Sequence, residues 1–373
     1  MLRTMRYCHL FLMMLLPFLA PGQHNFTLKL SAADLKGDSL IIGAPLVKMG
    51  FEDFYDFEME NVTDIKLLGW MPFSSYYLKL SGEDVFKGKV ADPLPVALIY
   101  LNPDVLPRIT DVFFLEPGDH ALQLPKLEHK QKIEVSSPVN REYRQLRDFL
   151  KPVYTKADNP FQVDSLINFP LKKKLLTEYI RQHPDSYPAF WEVINDYSLY
   201  QGEGMNFDIL NEFSDDFKKN RLYRLLKTKI DIENKTGEGS LFPEVGLGPA
   251  LTFGSSFFNR HRITLIDYWS TTCGPCIASM PELVKIYDSY KEKGLHVVAV
   301  DDDKTAAAKE RAGKLLLKNH IPWDNHFDDG EDFKTKLSAS GYPLYFLVDQ
   351  KGKILYRGSD LERVGEIIAE TIN

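Results

Sequence analysis

The chain has 373 residues, of which 44% are hydrophobic, 26% charged and 12% aromatic, and its formal net charge is −7 at pH 7. Such a length suits two or three domains, and the apolar fraction is that of a globular protein, which excludes a disordered chain. No basic patch or tail stands out, which argues against nucleic acid as a partner. Lys172, Lys173 and Lys174 form one short basic run, which we interpret as the solvent-facing side of a helix.

Residues 1–22 are predicted to form a signal peptide. Arg3 and Arg6 precede an apolar run over residues 10–20, and small residues follow it up to Gly22. The run is too short to cross a bilayer, and no later stretch reaches that length. An uncleaved anchor or a buried helix is the alternative. We therefore expect an exported protein of the periplasm or cell envelope that is not an integral membrane protein.

The chain has three cysteines, and Cys8 falls within the predicted signal peptide. The other two, Cys273 and Cys276, are separated by two residues. A disulfide that stabilises a fold usually closes a long loop, and a pair this close closes a very short one. The spacing therefore favours a chemical use of the pair.

The first part of the predicted mature chain, residues 23–130, has the pattern of β-strands. Apolar and polar residues alternate over residues 26–30, as in a half-buried strand. Further short apolar runs, separated by turn residues, lie at 76–80, 96–101 and 112–115. These features predict a β-sandwich-like domain.

Residues 131–235 have a helical period instead, with apolar stripes over 171–180 and 222–230. Aromatic residues are dense around Phe190, Trp191 and Tyr197. They could line a peptide-binding groove, but we favour a helix–helix core. Residues 234–248 are rich in Gly, Glu, Ser and Pro and are predicted to form a linker.

Strand and helix patterns alternate in residues 236–373, which is typical of an α/β layer fold. The predicted strands are 263–269, 296–300, 344–348 and 353–356, and the predicted helices are 276–293, 305–319 and 361–371. The whole chain is thus predicted to be multidomain, with an N-terminal all-β domain, a helical middle region and a C-terminal α/β domain.

The cysteine pair lies where a predicted strand ends and a helix begins. A helix N-terminus has unpaired N–H groups and the positive end of the helix dipole, and both stabilise a thiolate. We expect Cys273 to be an exposed nucleophile and Cys276 to be the more buried, resolving cysteine. Pro275 suits the first helical turn. Half of a zinc site is the alternative, but zinc needs more ligands and no further cysteine remains in the predicted mature chain.

Residues 241–373 resemble the thioredoxin superfamily, and within it the exported TlpA/ResA-like branch. Trp269 precedes Cys-Gly-Pro-Cys at 273–276, Pro281 follows within the helix, and Gly-Tyr-Pro at 341–343 precedes Val-Asp-x-x-Gly-Lys at 348–353. The β region also resembles the small domain that precedes such modules in many envelope proteins of Gram-negative bacteria.

The resemblance implies a thioredoxin-like fold and dithiol–disulfide exchange with the thiols and disulfides of protein partners. It implies a redox-active disulfide between Cys273 and Cys276, with no cofactor and no metal. Pro343 would follow a cis peptide bond beside the disulfide. Tyr342 and Pro343 would border the substrate groove.

Gly274 and Pro275, between the cysteines, would also contact the substrate. Asp267 matches the buried acid that thioredoxins place behind the second cysteine, where a raised pKa suits proton exchange. An ordinary strand aspartate held by hydrogen bonds is the alternative.

The sequence departs from the family at three positions. Thr272 stands where most members have Trp, Leu344 stands where Thr is common, and Ser279 replaces an acidic residue of some members. The role of that acid is therefore not carried over.

The Gly-Pro dipeptide is that of thioredoxin, whose potential of about −270 mV is far more reducing than the roughly −120 mV of DsbA. We therefore expect a reductant supplied by a membrane electron donor. A peroxiredoxin-like thiol peroxidase is one alternative, but Ile266 stands where its motif needs Pro. The other alternative is a thioredoxin-like binding module without turnover.

Overall fold

The computed structural model describes residues 24–44, 51–64, 75–100, 108–124, 133–153, 168–200, 207–249, 251–339 and 341–372. The predicted signal peptide, residues 1–22, lies outside the described residues. The described helices and strands fall into a β-rich region with helices, followed by a C-terminal α/β domain.

The β-rich region contains two sheets. Their strands are β1 (His24–Ser31), β2 (Ser39–Gly43), β3 (Phe57–Met59), β4 (Thr63–Asp64), β5 (Ser75–Lys79), β6 (Glu83–Val90), β7 (Leu94–Tyr100), β8 (Arg108–Ile109), β9 (Phe113–Leu115) and β10 (Gly118–Gln123). One sheet has the order β10-β1-β6-β3 and the other β4-β5-β2-β7-β8, with β9 also pairing β7. Phe26, Leu28 and Leu30 of β1 are buried, which confirms the predicted alternation.

Among the described residues, four α-helices follow: α1 (Pro138–Leu150), α2 (Phe169–Gln182), α3 (Tyr187–Tyr200) and α4 (Arg221–Lys235). Ser137, Asn168 and Asn220 cap three of them, each accepting a backbone N–H of the first turn. Their buried side chains and those of the two sheets form one continuous apolar cluster. The dense aromatics Phe190, Trp191 and Tyr197 belong to this cluster, so their interpretation as core is confirmed.

The interpretation of Lys172 as a solvent-facing residue is wrong. Its side chain is only 2% exposed, and its Nζ lies 2.5 Å from Asp196 Oδ1 and 2.9 Å from Glu192 Oε2. Both acids lie on α3, so the burial of Lys172 depends on contacts with a neighbouring helix. The spacing of apolar residues along α2 does not reveal those contacts. A buried ammonium requires such carboxylate partners.

The C-terminal domain contains the strands β11 (Val245–Leu247), β12 (Leu251–Phe253), β13 (Ile263–Trp269), β14 (Leu295–Asp301), β15 (Asn325–Phe327), β16 (Leu344–Asp349) and β17 (Ile354–Gly358). Its helices are α5 (Ser255–Phe258), α6 (Gly274–Tyr290), α7 (Ala306–Lys318), α8 (Asp332–Leu337) and α9 (Leu361–Ile372). Five strands form one sheet in the order β15-β14-β13-β16-β17. β13 runs parallel to β14 and antiparallel to β16, and all its residues are buried. This central strand leads directly to the cysteine pair.

The predicted linker over residues 234–248 overlaps regular elements at both ends, and the residues between them form turns and irregular backbone. α4 continues to Lys235, and residues 245–247 form β11. Phe242 is buried between them, with its ring centroid 5.5 Å from that of Phe346 in the sheet. Burial of this one aromatic side chain anchors a segment whose composition is otherwise that of a loop.

None of the helices in the described ranges combines the length and the apolar character that crossing a membrane requires.

Candidate active site

Cys273 and Cys276 form a disulfide at the junction of β13 and α6, with an S–S distance of 1.97 Å and Cα atoms 5.3 Å apart. Cys273 is the N-cap of α6, and its Sγ accepts the backbone N–H of Cys276 at 3.1 Å. Pro275 lies in the first turn, where its missing N–H costs no helical hydrogen bond. The Cys273 sulfur therefore lies at the positive end of the helix dipole, where a thiolate is stabilised.

Cys273 is 6% exposed and Cys276 is 2% exposed in this disulfide form. The expectation of an exposed Cys273 is therefore wrong for the oxidised state. Both cysteines belong to an apolar cluster with Trp269 and Met280, against which Tyr342 also packs. Gly274 and Pro275 are exposed between them, so the surface beside the disulfide is formed by these two residues rather than by sulfur.

Asp267 lies on the sheet face that carries the cysteines. Side chains alternate along β13, so Asp267 shares a face with Trp269, which packs in the cysteine cluster. Its side chain is 5% exposed, and among the described residues its Oδ1 has no hydrogen-bond partner. Burial raises the pKa of Asp267 to about 7. The alternative for Asp267 is an ordinary strand aspartate held by hydrogen bonds. Among the described residues, the structure shows no such hydrogen bond at its Oδ1.

Tyr345 of β16 is paired with Asp267 across the sheet. Its hydroxyl lies 3.1 Å from the Ser279 hydroxyl of α6, and Ser279 in turn donates to the carbonyl of Cys276 at 2.9 Å. Burial and then the charge of Asp267 raise the pKa of Tyr345, so this hydroxyl is neutral and able to donate or accept a hydrogen bond. Ser279, which replaces an acidic residue of some family members, thus connects α6 to the strand beside Asp267.

The Tyr342–Pro343 peptide bond is cis, which confirms that prediction. Both residues are partly exposed. The Tyr342 ring lies 5.0 Å from that of Tyr268, and its hydroxyl donates a hydrogen bond to Asp302. The distance of Pro343 from the sulfurs stays a prediction.

Three consecutive aspartates, residues 301–303, were not identified from the sequence as part of the site. The Asp303 carboxylate accepts the backbone N–H of Thr271 and the hydroxyl of Ser270, both in the turn before Cys273. Burial raises the pKa of Asp301 to about 7. The sequence did contain a signal for this part of the site, because the acidic run directly follows a predicted buried strand. The carboxyl ends of parallel strands meet at one edge of a sheet, and binding and active sites commonly form at that edge.

Within the described ranges, no group of three or more His, Cys, Asp or Glu side chains is placed to hold a metal ion. The two cysteines that half a zinc site would use are joined to each other.

A mixed sheet flanked by helices, with a Cys-Gly-Pro-Cys disulfide at a helix N-terminus and with Tyr342, the residue before the cis-proline, packed against the cysteine cluster, defines a thioredoxin-like domain. Residues 237–370 match the Redoxin family. The chain is 34% identical over 95 residues to thiol-disulfide oxidoreductase ResA of Bacillus cereus, which covers 24% of this chain and 50% of that protein. It is 46% identical over 90 residues to ResA of Oceanobacillus iheyensis, covering 24% of this chain and 45% of that protein. The chain thus spans about half the length of these curated relatives.

Among solved structures, the thioredoxin domain of a thiol-disulfide oxidoreductase from Bacteroides vulgatus is 24% identical, with a TM-score of 0.32, over 36% of this chain and 98% of that one. A thiol:disulfide interchange protein DsbE from Chlorobium tepidum is 26% identical, with a TM-score of 0.31, over 37% and 98% of the two chains. The Redoxin match and the ResA relatives support a C-terminal domain of the thioredoxin superfamily that is similar to its TlpA/ResA-like branch.

Proposed function

We propose that this protein is an exported thiol–disulfide oxidoreductase that exchanges disulfides with protein partners through Cys273 and Cys276. One observation carries the proposal: the two cysteines form a disulfide in which Cys273 caps α6 and its sulfur accepts the Cys276 N–H. A cysteine at such a cap is favoured as a thiolate, and the thiolate is the attacking species in disulfide exchange.

The reaction proceeds in two exchanges. The Cys273 thiolate of the reduced protein attacks a substrate disulfide, forms a mixed disulfide and releases one substrate sulfur as a thiolate. Cys276 then attacks Cys273 Sγ, which releases the second substrate sulfur and forms the Cys273–Cys276 disulfide. The substrate gains two electrons, and the protein loses two.

Asp267 is proposed to take the proton of the Cys276 thiol during the second exchange. A pKa raised to about 7 lets this carboxylate accept and release a proton near neutral pH. Support for this role comes from its burial on the cysteine face of the sheet and from its unpaired Oδ1 among the described residues.

The substrate is proposed to lie across Gly274, Pro275, Tyr342 and Pro343. Gly274 and Pro275 are exposed beside the buried disulfide, and Tyr342 and Pro343 are partly exposed. An extended substrate segment there would place its own sulfur next to Cys273, with backbone pairing supplying affinity and neighbouring side chains supplying specificity.

We further propose that the protein works as a reductant supplied with electrons by a membrane donor. No basic residue lies between the cysteines, so the Cys273 thiolate is not stabilised to the extent that makes an oxidant. A pair that stays reducing in an oxidising compartment needs a source of electrons.

Insulin reduction with dithiothreitol as electron source tests the activity. The wild-type chain is expected to turn over, and Cys273→Ser to abolish turnover. A binding module without turnover would give no rate in the wild type, and an active Cys273→Ser variant would contradict the nucleophile assignment.

Equilibration with glutathione tests the direction. A reductant is expected to have a potential near the roughly −270 mV of thioredoxin, whereas a value near the roughly −120 mV of DsbA would overturn the reductant role but leave the oxidoreductase class intact.

A further inference from the structure

Asp303 contacts the turn that leads from β13 into the cysteine pair. Its Oδ2 accepts the backbone N–H of Thr271 at 2.9 Å, and its Oδ1 accepts the Ser270 hydroxyl at 3.1 Å. The side chain of Asp303 is 7% exposed. A buried carboxylate with two donors on one turn restrains that turn more firmly than a solvent-exposed contact does.

The restrained turn determines where Cys273 lies. The Cys273 N–H donates to the Ser270 carbonyl at 3.0 Å, and the Ser270 hydroxyl also accepts the Thr272 N–H at 3.3 Å. Ser270 thus connects Asp303 to the cysteine through both its side chain and its backbone. Cys273, the next residue after this turn, is the N-cap of α6, and its sulfur accepts the Cys276 N–H.

Asp303 is itself held from the other side. Its backbone N–H donates to Asp301 Oδ1 at 2.9 Å, and Asp301 accepts from Asn325 at 3.3 Å. Asn325 in turn accepts the Trp269 indole N–H at 2.9 Å, at the end of β13. The ends of three adjacent strands are therefore joined by one hydrogen-bond network, with Asp303 as the member that contacts the active-site turn.

We infer that Asp303 is a positioning residue for disulfide exchange, which holds the 270–272 turn so that the Cys273 sulfur stays at the N-terminus of α6. The inference rests on the proposed function for its catalytic meaning. The inference concerns the hydrogen bonds of Asp303 rather than its charge. Asparagine and alanine both remove the charge, but only asparagine can still form hydrogen bonds, so a comparison of the two variants isolates the effect of hydrogen bonding.

The test compares Asp303→Asn with Asp303→Ala in the full chain. Asparagine can still accept the Thr271 N–H and contact Ser270, whereas alanine can do neither. The other charged groups around the turn, Asp301 and Arg311, are the same in both variants. The Arg311 guanidinium lies 3.4 Å from the Thr271 hydroxyl.

The first measurement is the pKa of the Cys273 thiol in the reduced protein. Iodoacetamide alkylation is followed against pH by fragmentation mass spectrometry, which distinguishes alkylation at Cys273 from alkylation at Cys276. We expect the Cys273 pKa in Asp303→Ala to lie about 0.5 pH units or more above that in Asp303→Asn, since a sulfur that leaves the helix N-terminus loses its stabilising N–H. Equal pKa values in the two variants overturn the inference.

The second measurement is kcat/KM for insulin reduction. We expect Asp303→Ala to be reduced ~10-fold relative to Asp303→Asn, because a misplaced reacting atom slows the step. If both variants lose activity equally, charge rather than positioning is responsible and the inference is wrong. If wild type itself fails to reduce insulin, the proposed function fails, while the alkylation comparison still decides the inference.

Asp328 supplies the matched control. It is 1% exposed and accepts the backbone N–H groups of Phe333 and Lys334 at the start of α8. Asp328→Ala is expected to be less stable than Asp328→Asn while the Cys273 pKa is the same in both. If Asp303→Ala does not fold, Ser270→Ala is compared with Asp303→Asn instead. Ser270→Ala removes one of the two contacts of Asp303 with the turn. The Cys273 pKa is then expected to be higher in Ser270→Ala than in Asp303→Asn.

Discussion

Two buried aspartates, one in each region of the molecule, differ in whether a cation lies beside the carboxylate. Asp196 of the helical region is 1% exposed, and its Oδ1 lies 2.5 Å from the ammonium of Lys172. Asp267 of the thioredoxin-like domain is 5% exposed, and among the described residues its Oδ1 has no partner. Burial raises the pKa of both, to about 6 for Asp196, where Lys172 opposes the rise, and to about 7 for Asp267.

The comparison sets an acid in an ion pair beside the acid that is proposed to act in the chemistry. A buried carboxylate with a cation beside it is satisfied in the ionised form and belongs to the packing of its region. A buried carboxylate without such a partner changes protonation near neutral pH, which destabilises the fold above that pH but suits proton transfer. Stability should therefore respond to changes in the first pair, and catalysis to changes at the second.

The largest effect on stability is expected at Lys172. Lys172→Met leaves Asp196 and Glu192 buried without their cation, and loss of one partner of a buried pair costs about 3–5 kcal/mol. The free energy of unfolding in urea measures this loss. Lys174→Met on the exposed side of the same helix is the control, with an expected change near zero. The kcat/KM of both variants for insulin should stay at the wild-type value, and a lower value would break the separation of the two regions.

Asp267→Asn is expected to change how stability depends on pH. Because the folded pKa of Asp267 is raised to about 7, its contribution to stability is fully present below the unfolded pKa and is lost as pH rises through 7. The asparagine variant has no such loss. The difference in free energy of unfolding, variant minus wild type, should therefore increase by roughly 4 kcal/mol between pH 4 and pH 8. Unfolding in urea over this range measures it, and parallel curves for the two proteins would show that Asp267 does not titrate as described.

Asp267→Asn also tests the comparison of the two aspartates through enzymatic activity. Removing the proposed proton acceptor of Cys276 should lower kcat/KM for insulin reduction ~10-fold at pH 7, a modest loss for a general base. Asp196→Asn is the contrasting variant, with lower stability and unchanged kcat/KM. If both aspartates affect turnover equally, the chemical role of Asp267 is refuted.

The smallest effect is expected at Tyr342. Tyr342→Phe keeps the ring against Tyr268 but removes the hydrogen bond to Asp302. Loss of one hydrogen bond at the proposed substrate border should raise KM about threefold with little change in kcat. A lowered kcat at unchanged KM would place Tyr342 in the chemical step instead.

The longer elements of the thioredoxin-like domain could be predicted because each has a strong local pattern, whereas the short elements β11, β12, β15, α5 and α8 were not predicted. β13 is a continuous apolar run, and the Cys-Gly-Pro-Cys motif marks the helix start that the structure shows at Gly274. The disulfide partners and the cis bond at Pro343 followed from the same resemblance.

What could not be predicted depends on contacts between distant segments. Lys172 is buried because α3 presents two acids to it, and no period along α2 contains that information. Asp303 acts on a turn 32 residues earlier in the chain, through strand ends that only the sheet order brings together. Phe242 gave no periodic signal, yet its burial orders a segment of loop-like composition.

The central claim is that Cys273 attacks and Cys276 resolves, and trapping tests it most directly. The reduced Cys276→Ser variant is mixed with native insulin, whose disulfides are intact. The disulfide-linked product is then mapped by mass spectrometry of its peptides. We expect a stable mixed disulfide between an insulin chain and Cys273, and none at Cys276 in the reciprocal Cys273→Ser variant. Equal trapping by Cys276 in that variant, or no mixed disulfide at Cys273, would contradict the account.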